Sequence, residues 1–236
     1  MIGLGYKMKY SIKRDGQGFG AIYQSYMSGI AYCSYKGYEY IHKEIESLDS
    51  VHCNTPYGEN KEKLNKFIGI PHNISVPDKT EKFSSDVHWS DDPDKYYTKN
   101  VLNIVKSYYY STYKPKLSRF EIAIHIRRGD VSPKSFERYT GNDKYKEIIN
   151  VLKQKYPKYK ICIYSEGKLE DFKELYLDNV YFCLNKSITL TFHNLVKAKV
   201  LVTAKSSFSY CAALLSDEEV YYIPFSHKPL KHWNVI

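Results

Sequence analysis

An apolar run that stops at two arginines constrains this chain more than any other stretch. Phe120 to Ile126 reads as a buried β-strand, and Arg127-Arg128-Gly129-Asp130 follows without a spacer. A strand of that composition needs cover on both faces, as in a parallel sheet flanked by helices. The rest of the C-terminal half supplies it. The patterns predict strands over 119–126, 159–164, 180–183, 200–203 and 220–223, with helices over about 143–155, 169–176, 189–197 and 207–215. Alternation of this kind implies an α/β fold. In such sheets ligands gather beyond the carboxyl ends of the strands. Guanidiniums there suit a diphosphate, being planar, doubly donating and charged at any working pH. Side chains alternate along a strand, so His125 and Arg127 are expected on one face. A solvated basic turn would use the same residues, so the pair needs company before it indicates a site.

Company comes from two other strand ends. Ser165-Glu166-Gly167 follows the strand 159–164, and Lys205-Ser206-Ser207-Phe208-Ser209 follows the strand 200–203. Ser206 and Ser207 open a helix, where unpaired N–H groups and the dipole favour an anion. Ser206 would also serve as a plain N-cap. A third candidate lies near the start of the chain. The predicted strand 7–12 runs into Asp15-Gly16-Gln17-Gly18-Phe19-Gly20 and a helix over 21–35, with a further strand at 38–42. Gly18 and Gly20 would let backbone approach a ligand closely. The spacing departs from the GxGxxG dinucleotide fingerprint.

Between these ends the chain is less regular. A charged helix is expected over 57–67, a long loop over 70–93 and a helix over 97–113. His72, Asp86, His88, Asp91, Asp92 and Asp94 fall in or near that loop at no metal-ligand spacing, and no metal site is expected. Lys114-Pro115-Lys116 suggests a boundary between an N-terminal domain, 1–115, and a C-terminal domain, 116–236. A net charge of +9 favours an anionic partner. The lysines are spread along the chain and no nucleic-acid-binding motif occurs, so a nucleotide fits better than a nucleic acid. Five scattered cysteines without a CxxC pair argue against a disulfide framework or zinc. No apolar run reaches membrane-spanning length and the N-terminus lacks a signal-peptide core, which reads as a cytoplasmic chain. The 25 tyrosines suit either sugar faces or the core.

His-Ile-Arg-Arg-Gly-Asp at 125–130 resembles the HxRRxD motif of the α1,2/α1,6-fucosyltransferase superfamily. Ser206-Ser207-Phe208-Ser209-Tyr210-Cys211-Ala212-Ala213-Leu214 is similar to its SSFSWWxAxL signature. Tyr164-Ser165-Glu166 resembles the segment between them, and Gly16 to Gly20 with Tyr23-Gln24 its N-terminal glycine loop. The resemblance implies a GT-B-like fold, two Rossmann-type domains with parallel sheets facing a cleft. It also implies an inverting, metal-independent glycosyltransferase, with GDP-fucose as co-substrate and a glycan hydroxyl as acceptor. By motif position Arg127 and Arg128 would hold the diphosphate, His125 would contact the nucleotide, and Ser206 and Ser207 would bind phosphate. Ser165, Phe208, Gly18 and Gly20 would complete the donor site. Thr191 stands where the family carries an acid that recognises guanine, which leaves UDP or another sugar such as xylose open. A long C-terminal crossing helix is not expected after Trp233. The acceptor hydroxyl needs a base or an orienting carboxylate, and Asp130 and Glu137 are the candidates. A nucleic-acid-binding protein and a catalytically inactive glycan binder are the readings outside the transferase class.

Overall fold

The computed structural model describes residues 6–49, 59–117, 120–135 and 137–236. Residue 119 of the expected central strand, residues 57–58 of the charged helix, the N-terminal residues 1–5 and Cys53 lie outside the described residues. The N-terminal half runs β1 (Lys9–Ile12), α1 (Phe19–Lys36), β2 (Glu39–His42), α2 (Lys61–Ile68), β3 (Lys79–Glu81), α3 (Ser85–His88), a 3-10 turn (Pro93–Lys95) and α4 (Lys99–Tyr110). Its three strands form a parallel sheet in the order β2–β1–β3.

The C-terminal half runs β4 (Ile122–His125), α5 (Asn142–Lys155), β5 (Ile161–Ser165), a 3-10 segment (Leu169–Leu175), β6 (Val180–Leu184), α6 (Ile188–Lys197), β7 (Val200–Val202), α7 (Ser207–Leu215), β8 (Glu219–Tyr222) and β9 (Asn234–Val235). All six strands are parallel, in the order β6–β5–β4–β7–β8–β9. The chain builds outward from β4 to β6, then crosses back and builds outward again from β7. The strand order therefore reverses between β4 and β7, and a crevice opens at such a switch point.

Alternation along β4 sorts its side chains between two layers. Ile122, Ile124 and Ile126 pack with Ile148, Ile149 and Leu152 of α5. Ala123 faces the opposite cluster, shared by α1, α6 and α7. α7 is buried from Ser209 to Leu215, and α1 at most positions from Phe19 to Cys33. A helix apolar on every side belongs inside, and these two pack on each other at the seam between the sheets. Phe19 meets Phe67, Phe192 and Phe208 there at ring separations of 6.3, 5.6 and 6.2 Å. Each ring of this kind removes about 150–250 Å² from water, so the seam is a core and not a loose contact.

The tyrosines mostly serve packing. Tyr10, Tyr23, Tyr26, Tyr109, Tyr145, Tyr164 and Tyr222 are among the largest fully buried side chains. Tyr109, in the middle of a Tyr-Tyr-Tyr run, is hydrogen-bonded to Nδ1 of His193 at 2.9 Å.

The loop expected over 70–93 contains β3 and α3. β3, Lys-Thr-Glu, has no apolar residue and is held by backbone pairing to β1, so periodicity carried no sign of it. β9 is two exposed residues added parallel to β8. The helix expected over 169–176 is a 3-10 segment broken at Phe172, whose φ is −124° and whose ring is buried. Among the described residues no helix is long and apolar enough to cross a membrane.

Candidate functional site

The carboxyl ends of β4, β5 and β7 open on one cavity of about 570 Å³, and the N-termini of α1 and α7 close it from the seam. Its lining includes His125, Arg127, Arg128, Asp130, Ser165, Thr191, Ser206, Ser207, Phe208, Gly18 and Gly20. Eleven of the twelve residues picked out in the sequence therefore meet at one place. Glu137 is the twelfth; it is exposed and is not among the lining residues.

The two arginines diverge as strand alternation requires. Arg127 leans toward the turn before α7, donating from Nη1 to the Lys205 carbonyl at 3.2 Å. Its Nε donates to Oδ1 of Asp130 at 3.0 Å, and Nη2 pairs with Oδ2. The pair is bidentate and mostly buried, with the two side chains 17% and 18% exposed. Arg128 turns the other way. Its guanidinium lies 4.3 Å over the Tyr139 ring and donates to the Thr140 carbonyl at 3.0 Å and to Asn142 Oδ1 at 2.8 Å. Burial lowers its pKa, yet a guanidinium stays charged at working pH. One arginine is thus braced by a carboxylate at the crevice, and the other ties down the loop that leads into α5.

Gly129 sits between Arg128 and Asp130 at φ +81°, and Glu166 occupies the space a Cβ would need. Only glycine fits this turn without strain.

His125 lies behind the arginines, against the Phe208 ring at 5.4 Å, on the same side as Arg127. Burial, and secondarily the Arg127 charge, lower its pKa to about 3, so the imidazole is neutral. Its Nδ1 is buried without a hydrogen-bond partner. A neutral ring here is a hydrogen-bonding group and adds no positive charge.

Ser206 is the N-cap of α7, its Oγ accepting from the Phe208 N–H at 3.2 Å. Ser165 donates its hydroxyl to the Ile126 carbonyl at 2.7 Å, locking the end of β5 to that of β4. Gly20 answers a contact between helices: a Cβ there would sit 2.5 Å from the Phe208 backbone nitrogen. Glycine lets the starts of α1 and α7 touch, which brings two positive helix ends to one cavity. Thr191 lines the cavity from the first turn of α6, near Lys186 and Ile188. The buried Glu59 instead caps that helix, accepting from the Thr189 N–H at 2.7 Å and its hydroxyl at 2.6 Å.

Several lining residues were not among the candidate site residues read from the sequence. Arg14, at the end of β1, bonds to Ser25 Oγ at 2.8 Å and lies 5.3 Å from the Phe83 ring centre. Asp49, Glu166, Arg138 and Lys186 also line the cavity, as do Phe83, His88, Trp89 and His227. Arg14 directly precedes the glycine loop and could have been read as a third arginine. The aromatic group joins residues more than 130 apart, and no local pattern could reveal it. Of His72, Asp86, His88, Asp91, Asp92 and Asp94, only His88 lines this cavity; among the described residues no three metal-ligating side chains gather anywhere.

No family model matches the chain, and no curated protein matches it. Solved structures do. The chain is similar to the E. coli heptosyltransferase WaaC with ADP, at 10% identity over 97% of this chain and 92% of that one, with a TM-score of 0.51. It also matches the fucosyltransferase NodZ from Bradyrhizobium at 12% identity, over 89% and 94% of the two chains, with a TM-score of 0.42. The likeness to WaaC is one of fold, and that fold is GT-B: two parallel α/β sheets meeting across a cleft.

Proposed function

We propose that this chain is an inverting glycosyltransferase that moves a sugar from a nucleotide diphosphate to a glycan hydroxyl. The observation that carries the reading is Arg127, braced by Asp130, beside the N-terminus of α7 at the β4–β7 switch point. In the reaction the acceptor oxygen bonds to the anomeric carbon and gives up its proton to a carboxylate at the reacting centre, as the bond from that carbon to the diphosphate oxygen breaks. The leaving diphosphate gains negative charge. Fixed positive donors aimed at that position stabilise the transition state. Arg127 supplies a guanidinium with its orientation already set, Arg128 and Arg14 add field, and Ser206 and Ser207 offer a helix start. In this reading the arginines take the task a divalent cation performs in other transferases.

Asp130 is favoured over Glu137 as the carboxylate at the reacting centre, because it lines the cavity and Glu137 does not. Both Asp130 oxygens are engaged by Arg127, so its first task is orientation. GDP-fucose is the donor proposed, on the resemblance of 125–130 and 206–214 to fucosyltransferase motifs. Thr191, a hydroxyl in place of a carboxylate, is the reason to run UDP-sugars beside it. The test is release of nucleoside diphosphate from a donor panel, with EDTA present and an oligosaccharide mixture as acceptor. Release from GDP-fucose that disappears in Arg127→Ala supports the proposal; equal release in the variant refutes it.

A further inference from the structure

We infer that Trp89 and the aromatic side chains fixing it form a shelf for a pyranose ring of the acceptor glycan. The inference rests on the glycosyltransferase reading and concerns an aromatic group that lines the same cavity as Arg127. Trp89 is the residue after α3, and it is 54% exposed although it lines the cavity. Its orientation is set from several sides. The His227 imidazole stacks on it at 5.2 Å and 21°, while His88 and Phe83 meet it edge-on at 4.6 and 6.3 Å. His227 is itself anchored, because its Nδ1 hydrogen can only be donated to the His88 carbonyl, 3.0 Å away. An indole held this firmly, with half its surface left open, is a preformed apolar platform.

Position along the sheet selects the occupant. His227 follows β8, which neighbours β7, so the shelf lies on one side of the β4–β7 crevice. Lys186 and Thr191 follow β6 and lie on the other side. Neighbouring strands are about 4.8 Å apart, so the end of β8 lies one to two strand spacings from the β4–β7 crevice. That reach suits a sugar joined at the anomeric carbon. A nucleobase, with its ribose between base and phosphate, fits the Lys186–Thr191 side. A pyranose has one apolar C–H face and a rim of hydroxyls, which matches an indole bordered by polar groups. Exposure separates acceptor from donor: a donor sugar ends at its own ring, whereas a glycan chain must continue into solvent past an open edge.

The chain has two tryptophans, and Trp233 is only 5% exposed. Iodide quenching of intrinsic fluorescence therefore reports almost wholly on Trp89. The probes are lactose, cellotetraose, maltotetraose, mannotetraose and N,N′-diacetylchitobiose, each with and without GDP, on wild type, Trp89→Ala and Trp89→Phe. At least one glycan is expected to shield Trp89 from iodide with GDP also bound. Glycan affinity, followed by saturation-transfer NMR, is expected to fall tenfold or more in Trp89→Ala and to recover within about threefold in Trp89→Phe. GDP should raise the Tm of all three proteins equally. The shelf assignment is overturned if GDP alone shields Trp89, if no glycan does, or if Trp89→Ala binds glycan as wild type does. Glycan shielding with no response to any nucleotide supports the shelf and refutes the transferase reading instead.

Discussion

The wall built from the six-stranded sheet and the wall facing it hold their side chains by different means. On the sheet side, His125, Arg127, Ser165 and Ser206 each follow directly from a strand end. Ser165 is tied to the Ile126 carbonyl and Arg127 to the Lys205 carbonyl. On the other side, Phe83 and Trp89 flank the four-residue α3 and His227 comes from the turn after β8, and they hold one another by ring contacts. One wall is polar, cationic and set by topology. The other is aromatic and set by tertiary packing. The proposed transfer of a sugar from a nucleotide to a glycan would use such a division, with the diphosphate chemistry on the first wall and the acceptor contacts on the second.

Substitution of Arg127 should separate the walls most sharply. Arg127→Ala is expected to lower kcat by about 10²–10³-fold, the usual cost of removing one fixed transition-state donor. Circular dichroism and the Tm should stay near wild type, and the shelf around Trp89 should keep its iodide accessibility. Loss of both walls together would mean that they are not independent.

Acidification probes both walls at once. Burial lowers the pKa of His42 to about 4, of His88 to about 3, of His125 to about 3 and of His193 to about 4. Each is depressed in the folded state, so the unfolded chain takes up protons first. Stability from this source is complete above about pH 6.5, the ordinary histidine value, and is lost as pH falls toward 4. Each site contributes up to about 1.4 kcal/mol per pH unit across that window. Urea titrations at pH 7.5, 6 and 5 should give midpoints that fall steadily, and a flat profile would contradict the buried, neutral assignment.

Gly20→Ala tests the seam that joins the walls. Its Cβ would press on the Phe208 backbone, which cannot swing aside as a side chain can. A cost of about 1–3 kcal/mol is expected, seen as a lower Tm, with nucleotide affinity reduced because the α7 start is displaced. The smallest effect belongs to Glu137→Gln, expected to leave turnover within about twofold of wild type. A large loss there would return Glu137 to the reacting centre in place of Asp130.

Much of the sheet wall was legible in the sequence, because strand alternation, a parallel sheet and helix starts each leave a local pattern. Ile122 to Arg127 carried the core face, the site face and the cationic end within six residues. The facing wall left no such trace. β3 is Lys-Thr-Glu with no apolar side chain, and α3 is a single turn, so neither has a hydrophobic period. Trp89 stacks on His227 across 138 positions, a contact made by the fold and not by a motif. The divergence of Arg127 and Arg128 was implicit in strand alternation, but their partners, Asp130 for one and Tyr139 with Asn142 for the other, emerged only from the loop's course. Gly20 was read as room for a ligand and proved to be room for Phe208 as well.

In the proposed function Arg127 binds a nucleoside diphosphate at the crevice between β4 and β7. That binding is tested most directly by thermal shift with GDP, UDP, ADP and GDP-fucose in EDTA, comparing wild type with Arg127→Ala. A ligand that binds only the folded state must raise its Tm by mass action. GDP and GDP-fucose are expected to raise the Tm of wild type by several degrees and to leave that of Arg127→Ala unmoved. Equal stabilisation of both proteins, or of neither, would contradict the proposal.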